Sequence, residues 1–253
     1  MSTEHVHSGA TQTIDQTQAR VDLTAALRWA DRQNLSEGVC NHFSLALPGT
    51  LDRFLLNPQG IHWSEMCASD LIVVDAAGQV SDGKHTAEPS AFFIHSSVHR
   101  SRPSAKCVLH AHPPYCTALS CLDGGRLEMC SQNAIRFYGR VACDDTYNGA
   151  AFDDDEGDRI SSKLQDRDVL FMANHGVLVT GDSIATAFDD LYYLERAAMT
   201  QIIAMSAGRP LRIIPDDVCQ MAYGQFGAES EQAYHFLEAI KRILMRECPE
   251  FLE

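Results

Sequence analysis

The feature that most constrains the fold is an apolar run that ends in two histidines and is closed by two prolines, Cys107-Val-Leu-His-Ala-His-Pro-Pro-Tyr115. Such a run is typical of a strand, and the prolines fix where it stops. Side chains two residues apart on a strand share a face, so His110 and His112 would present both imidazoles on one side of a strand end. The run therefore predicts half of a metal site.

The remaining ligands must come from elsewhere, because a catalytic zinc-type site usually takes three protein ligands and leaves one position open. A second apolar strand, 168–173, leads to His175, which a glycine follows, and Glu88 opens a predicted helix. We therefore predict a site of three imidazoles and one carboxylate, each at the end of an element. The pattern alone is a weak signal, since His5 and His7 form a similar pair in a polar stretch and a glutamate at a helix start also has a purely structural use.

Composition bounds the class of protein. A chain of 253 residues with 45% hydrophobic content can bury one sizeable core. Nothing in it reads as a linker, so we predict a flexible tail over 1–17 and one domain over 18–253, ending in a helical extension over 210–253. A net charge of -14 argues against nucleic-acid and anionic-membrane partners, which need a basic footprint.

The sequence also bears on the cellular location of the protein. No apolar run approaches the about 20 residues that span a bilayer, and the start lacks the pattern of a signal peptide. We therefore expect a cytoplasmic protein. The nine cysteines form no C-x-x-C pair and are expected to be buried thiols rather than metal ligands.

Strand and helix patterns alternate along the chain with short hairpins between them, which predicts a mixed sheet covered by helices on both faces. The predicted strands are 43–47, 53–56, 70–74, 107–112, 136–143, 169–172 and 177–180. The predicted helices are 19–34, 88–100, 114–121, one that starts in the acidic run 153–156, one capped by Asp182 that ends before Gly208, and a C-terminal pair over 215–253 that breaks at 224–227.

Three motifs in this order resemble one known family. Glu88, then His110-Ala-His112, then Asn174-His175-Gly176 is similar to the class II aldolase/adducin family, and the likeness runs from about 21 to 208. Further similar stretches are Asn57-Pro-Gln-Gly60, Asp70-Leu-Ile-Val-Val-Asp75, Gln132-Asn-Ala-Ile-Arg-Phe-Tyr-Gly139 and Tyr193-Leu-Glu-Arg196. The resemblance implies a three-layer α/β/α sandwich with a mixed central sheet, usually a homotetramer with sites at subunit interfaces.

The resemblance also implies roles for the site residues. It implies one divalent metal ion per chain, zinc first and manganese as an alternative, held by His110, His112 and His175. The glutamate that matches Glu88 acts as acid and base in the family, and it is also a ligand of the resting metal. The implied partner is a small-molecule substrate.

Residues that would choose the substrate depart from the sugar-phosphate aldolase pattern. Phosphate-binding members tend to show Gly-Asn-X-Ser, Thr/Ser-Gly and Ser-Ser-Glu. The aligned stretches here are Asn41-His-Phe-Ser44, Gln59-Gly60 and Thr86-Ala-Glu88. Because small phosphate donors are replaced or lost, we predict a substrate without phosphate, contacted by His42, Asn57 and Gly60. His42 would bind a carboxylate or another anionic group, with a loop-capping role as the alternative.

Arg136 and Tyr138 are further candidates for substrate contact. An arginine suits bidentate recognition of a carboxylate, and a tyrosine suits proton donation, as a tyrosine of a neighbouring subunit does in some family members. That tyrosine aligns with no single one of Tyr138, Tyr147 and Tyr223. Packing in the core or on the surface is the alternative for Arg136 and Tyr138.

Together these features predict a divalent-metal-dependent carbon–carbon lyase that performs aldol-type cleavage or decarboxylation. Its substrate would be a small, non-phosphorylated carbonyl or hydroxy-acid compound, since breaking a bond beside a carbonyl leaves electrons on an oxygen that a metal stabilises. Two alternatives stay open: an adducin-like interaction module without catalysis, and a sugar-phosphate aldolase or epimerase.

Overall fold

Seven strands form one mixed sheet in the computed structural model, which describes residues 15–47, 53–81, 85–227 and 231–253. The strands are β1 (His42–Ala46), β2 (Arg53–Leu56), β3 (Ile72–Asp75), β4 (Cys107–Ala111), β5 (Val141–Asp144), β6 (Val169–Met172) and β7 (Gly176–Gly181). Their order across the sheet is β3-β2-β1-β4-β7-β6-β5. β5 and β6 pair in parallel, and the other neighbouring pairs are antiparallel.

Helices cover both faces of this sheet. They are α1 (Gln16–Arg32), α2 (Pro89–Ser101), α3 (Pro114–Ser120), α4 (Gln132–Ile135), α5 (Asp154–Leu164), α6 (Ile184–Ser206), α7 (Asp216–Gly227) and α8 (Gln232–Glu247). α2 and α5 pack together on one face, whereas α1, α3 and α6 pack on the other and α8 lies against α1 and α6. The predicted three-layer α/β/α sandwich with a mixed sheet is confirmed.

The strand that carries the histidines lies at the centre of the sheet, between β1 and β7. All its residues are buried, because its two faces meet two different cores. Leu109 packs into the core under α1 and α6, and Val108 packs into the core under α2 and α5. Burial on both faces explains why the run is continuously apolar rather than alternating.

The predicted strand over 136–143 is partly wrong. α4 and the turn after it occupy 132–140, and β5 begins only at Val141. Gly139 has φ +70, a conformation outside the β region that glycine adopts readily. Arg136, which begins the predicted strand, instead stacks on Tyr193 of α6, with its guanidinium carbon 3.8 Å from the ring centroid.

Two helix ends also differ from prediction. Ser183, not Asp182, caps α6, because its hydroxyl accepts from Thr186 N and the Thr186 hydroxyl accepts from Ser183 N. The predicted break at 224–227 is wrong, since α7 continues to Gly227.

Parts of the predicted organisation lie outside the described residues. These parts are 1–14 of the predicted tail and the turn at Pro48 and Gly49. α1 begins at Gln16, with Asp15 as its N-cap, so the last two residues of the predicted tail are helical. None of the described helices combines the length and the apolar character needed to span a membrane.

Candidate metal centre

His110 lies near the end of β4 and is almost completely buried, with 2% of its surface exposed. It pairs with His42 on β1 and Leu178 on β7. Its Nδ1 donates to the carbonyl oxygen of Val177 at 3.0 Å. Because a carbonyl only accepts, the neutral ring carries its proton on Nδ1 and a lone pair on Nε2.

His112 follows directly after β4 and is oriented by a carboxylate from far away in the sequence. Its Nδ1 lies 2.5 Å from Oε2 of Glu37. Glu37 belongs to a tight turn between α1 and β1, in which Gly38 and Asn41 have φ values of 61° and 73°. A histidine that donates one ring N–H to a carboxylate presents its other nitrogen as a metal ligand, the usual arrangement around zinc.

His175 reaches the same place from the connection between β6 and β7. Asn174 turns the chain with φ 56, a conformation that asparagine tolerates better than most residues. The ring of His175 lies 4.8 Å, centroid to centroid, from the rings of both His110 and His112. The structure thus brings the three predicted imidazoles together, with ligand atoms all within 4.8 Å of one another.

The donor set fits a cation. Nε2 of His110 and Nε2 of His112 lie 3.1 Å apart, and Nδ1 of each ring is already hydrogen-bonded to another group. When His110 and His112 are neutral, as ligation requires, their two Nε2 lone pairs can bind one shared cation. Burial lowers the pKa of His110 well below its usual value and that of His175 to about 4. Both imidazoles are therefore neutral at pH 7, as metal ligation requires.

Gly176 is needed for close approach rather than for the turn itself. A β-carbon at this position would lie 2.5 Å from Cδ2 of His112 and 2.6 Å from the carbonyl oxygen of Ala111. Both distances are shorter than any non-bonded contact between such atoms. Any other residue at 176 would therefore push the His112 ring out of its place.

Glu88 borders the three histidines through His42. Its carboxylate caps α2, since Oε2 accepts from Ala91 N at 2.8 Å and from the hydroxyl of Ser90. The same Oε2 lies 3.9 Å from Nε2 of His42. The His42 ring lies 4.8 Å from the His110 ring, centroid to centroid. Glu88 thus stands one imidazole away from the cluster, and its carboxylate is not among the three converging ligands.

Two other predicted contact residues lie in the loop that follows β2. Asn57 is buried, and its amide holds the start of β1 by accepting from Phe43 N at 2.8 Å and donating to Asn41 O at 3.2 Å. Gly60 is exposed and has φ 85. This loop runs beside the segment leading to Glu88, because Gln59 N donates to the carbonyl oxygen of Thr86 at 2.9 Å.

Arg136 and Tyr138 contact the C-terminal helices within this chain. Arg136 donates to Asp189 of α6 at 3.1 Å, and the Tyr138 hydroxyl donates to Asp216 of α7 at 2.6 Å. Tyr138 lies near Tyr223, with ring centroids 6.4 Å apart. Of the three tyrosines weighed from the sequence, Tyr147 has its ring beside the cluster, 6.0 Å from that of His175, and it is exposed.

Glu37 is a residue of the centre that sequence reasoning missed. It lies 75 positions before His112 in a turn of ordinary composition, so no local pattern could have paired the two. Replacing Glu37 with glutamine should weaken metal binding about 10- to 100-fold, because His112 loses its charged orienting partner. Calorimetric titration of zinc into the metal-free variant measures this. The control is Glu231→Gln, which changes an exposed carboxylate that lies 3.9 Å from Nε2 of His235, away from the centre. This variant should bind zinc like the wild type.

Comparison with known proteins places the chain. The sequence model of the Class II Aldolase and Adducin N-terminal domain matches residues 21–202. The chain belongs to this family. A Pseudomonas aeruginosa protein whose name assigns it provisionally to aldolase class 2 is 36% identical over 202 residues, which cover 79% of this chain and 77% of that protein.

Two solved structures of the class II aldolases support the assignment of the fold. The aldolase II superfamily protein from Pseudomonas syringae is 32% identical, with a TM-score of 0.87 over 97% of this chain and 98% of that one. L-fuculose 1-phosphate aldolase from Glaciozyma antarctica PI12 is 26% identical, with a TM-score of 0.81 over 92% of each chain. The predicted resemblance to the family is thereby confirmed.

Buried neutral histidines make the stability of the fold depend on pH. Burial lowers the pKa of His99 to about 4. The unfolded chain takes up this proton near pH 6.5, so His99 contributes stability that is present at pH 7 and lost as the pH falls towards 4. When the pH is lowered from 7 to 5, the free energy of unfolding should therefore decrease in both proteins. The decrease should be about 2 kcal/mol smaller in His99→Gln than in the wild type.

Urea unfolding at the two pH values measures this difference. Asp189, whose pKa burial raises to about 6, acts in the opposite direction, but it is present in both proteins and cancels in the comparison. Equal losses of stability in the two proteins would contradict the role of His99.

Proposed function

We propose that the protein is a divalent-metal-dependent carbon–carbon lyase that acts on a small, non-phosphorylated carbonyl or hydroxy-acid substrate by aldol-type cleavage or decarboxylation. The observation that carries this proposal is the convergence of three imidazoles from two strand ends, with the Nε2 atoms of His110 and His112 3.1 Å apart. Such a set holds a metal and leaves coordination positions open for a substrate.

The chain's own residues would divide the work as follows. His110, His112 and His175 hold the ion, with the first two oriented by Val177 O and Glu37. A bound divalent ion supplies Lewis acidity that stabilises negative charge on a substrate oxygen. Glu88, on the border of the cluster, moves the proton to or from the reacting carbon, and in our proposal it also ligates the resting metal. Tyr147, exposed beside His175, is available as a proton donor.

The preference against a phosphate rests on His42, which stands where phosphate-binding members tend to have asparagine. Burial lowers its pKa to about 3, and two neighbouring histidines of the cluster act in the same direction. A neutral ring gives no charge attraction to a phosphate. We propose substrate contacts from His42, Asn57 and Gly60, whereas Arg136 and Tyr138, engaged with α6 and α7, would serve a neighbouring subunit's site.

The finer properties are proposals too. Zinc is the metal we propose first, because imidazole nitrogens suit it. We also propose a homotetramer with sites at subunit interfaces, in which the exposed side chains of Val39 and Tyr147 would lie at or near the interface. All nine cysteines are free thiols, which supports a reducing, cytoplasmic environment. The expectation that they are buried is correct for Cys107, Cys116 and Cys219 and wrong for the other six. We keep 18–253 as one domain, with 210–253 as its helical extension.

The test combines metal analysis with a substrate screen. Elemental analysis of the purified protein should show about one zinc, manganese or similar ion per chain. The loaded protein should release carbon dioxide or an aldehyde from one of a set of 2-keto, hydroxy and aromatic hydroxy-carboxylic acids. A protein that rejects added zinc and manganese would instead be an interaction module, and selective cleavage of sugar phosphates would overturn the proposed substrate class.

A further inference from the structure

A buried hydrogen-bonded chain runs behind the metal centre between β1 and α2. We call it the imidazole chain; its members are His42 and Ser44 of β1 and His95 and His99 of α2. Nδ1 of His42 lies 2.8 Å from Nε2 of His95, and Nδ1 of His95 lies 2.5 Å from the Ser44 hydroxyl. That hydroxyl lies 2.8 Å from Nε2 of His99, and Nδ1 of His99 lies 3.0 Å from the carbonyl oxygen of Ala105.

The last bond fixes the direction of all the others. A carbonyl only accepts, so His99 donates from Nδ1 and accepts at Nε2 from the Ser44 hydroxyl. The serine has then used its proton, so its oxygen accepts from Nδ1 of His95. Nε2 of His95 must in turn accept from Nδ1 of His42. All three rings are therefore Nδ1–H tautomers, and Nε2 of His42 is left with a lone pair.

This order requires neutral rings, and the surroundings keep them neutral. Ser44 and His95 are completely buried, and His42 is 5% exposed. Burial lowers the pKa of His95 well below its usual value, as it does for His42 and His99. A proton added to His95 or His99 would leave two donors facing each other within the chain. The free nitrogen of His42 lies at the outer end of the chain, and there burial opposes an added proton.

We propose that Ser44, His95 and His99 are positioning residues that hold His42 as the Nδ1–H tautomer, so that its Nε2 accepts a hydrogen bond from a substrate hydroxyl. No proton is gained or lost in this role. The carbonyl of Ala105, beyond the far end of the chain, thus determines which atom His42 presents to the centre.

The position of Glu88 supports this role. Nε2 of His42 faces Oε2 of Glu88 across 3.9 Å. Nε2 of His42 is an acceptor, so a group that binds it must bring a hydrogen. A hydroxyl on the substrate does so, whereas a phosphate or carboxylate oxygen does not. This selects hydroxy compounds, and it replaces the anion-binding role predicted for His42 from sequence.

The tautomers of the three histidines in the imidazole chain can be determined by NMR spectroscopy without substrate or metal. Long-range 1H–15N correlation spectra of 15N-labelled, metal-free protein distinguish the two neutral tautomers, with signals assigned from His42→Asn and His95→Asn spectra. We expect His42, His95 and His99 each as a single Nδ1–H form. Ser44→Ala should convert His42 and His95 into tautomer mixtures. His99→Gln should preserve the order, because its amide can donate to Ala105 and accept from Ser44.

Ser96→Ala is the matched control. It removes a hydroxyl of similar burial, adjacent to His95, whose bond goes to Phe93 O and not to the imidazole chain. Its spectrum should equal that of the wild type. An Nε2–H form of His42 in the wild type, or an unchanged His42 signal in Ser44→Ala, would overturn the proposal. Should Ser44→Ala not fold, the wild-type and His99→Gln spectra decide.

The proposal that His42 binds a substrate hydroxyl rests on the proposed function and is tested by a separate binding experiment. Glycolate should bind the zinc-loaded protein about tenfold more tightly than methoxyacetate, which lacks the hydroxyl hydrogen. Ser44→Ala should reduce this ratio towards one. An equal affinity for both probes in the wild type would overturn the hydroxyl preference. A protein that takes no metal would refute the proposed function alone, because the spectra of the metal-free protein still decide the tautomer.

Discussion

Replacing His175 with alanine should remove the metal and abolish turnover. The side chain supplies one of the three converging ligand atoms, and a site reduced to two imidazoles no longer meets the usual coordination of a catalytic ion. We expect the affinity for zinc to fall by more than the about 100-fold that loss of an outer partner causes. Because His175 is only partly buried, the fold should survive.

Elemental analysis and zinc titration of the same preparation measure this effect, and circular dichroism confirms the fold. His235→Ala on α8 is the control, since that imidazole is 73% exposed and its neighbour is Glu231 on the same segment. It should keep its metal. A His175→Ala protein that still holds one ion per chain would place the metal elsewhere.

The second large effect is expected from Glu88→Gln, which should lower kcat by about 10²- to 10⁴-fold, the usual contribution of a positioned acid or base. Glutamine keeps an oxygen that can accept from Ala91 N, so the cap of α2 and the stability of the fold should change little. The amide cannot exchange a proton as a carboxylate does, which separates catalysis from folding.

Steady-state kinetics on the substrate found by the screen, together with thermal unfolding, test this expectation. Glu231→Gln is a close match, because Glu231 is also a glutamate at a helix N-cap, but its side chain makes no capping bond. It should retain full activity. A Glu88→Gln enzyme with normal kcat would remove this carboxylate from the mechanism.

Much of the architecture was predictable because local pattern and burial agree. β4 and β6 read as uninterrupted apolar runs, since each faces a core on both sides of the sheet. The predicted strand 53–56 is reproduced as β2, in antiparallel pairing with β1. Histidines at the ends of such strands converge because β4 and β7 are neighbours, a fact that follows from the sheet order and not from either strand alone.

What the sequence could not supply were contacts between distant segments. Glu37 reaches His112 only because a turn between α1 and β1 folds over the end of β4. His95 and His99 read as ordinary helix residues until α2 packs on β1. The error at 136–143 has a similar cause, since Arg136 and Phe137 suit a strand by composition but are held by contacts with α6 and by burial in the core.

Position 176 has no room for a β-carbon, so the metal centre can form only when β7 pairs with β4 in the correct register. β7 pairs with β4 so that Val177 lies opposite Ala111. A slip of β7 by one position would bring a valine against the His112 ring and turn every alternate side chain to the wrong layer. Such a misaligned chain could not gather its three imidazoles, so metal uptake by refolded protein would serve as a direct count of molecules with correctly matched strands.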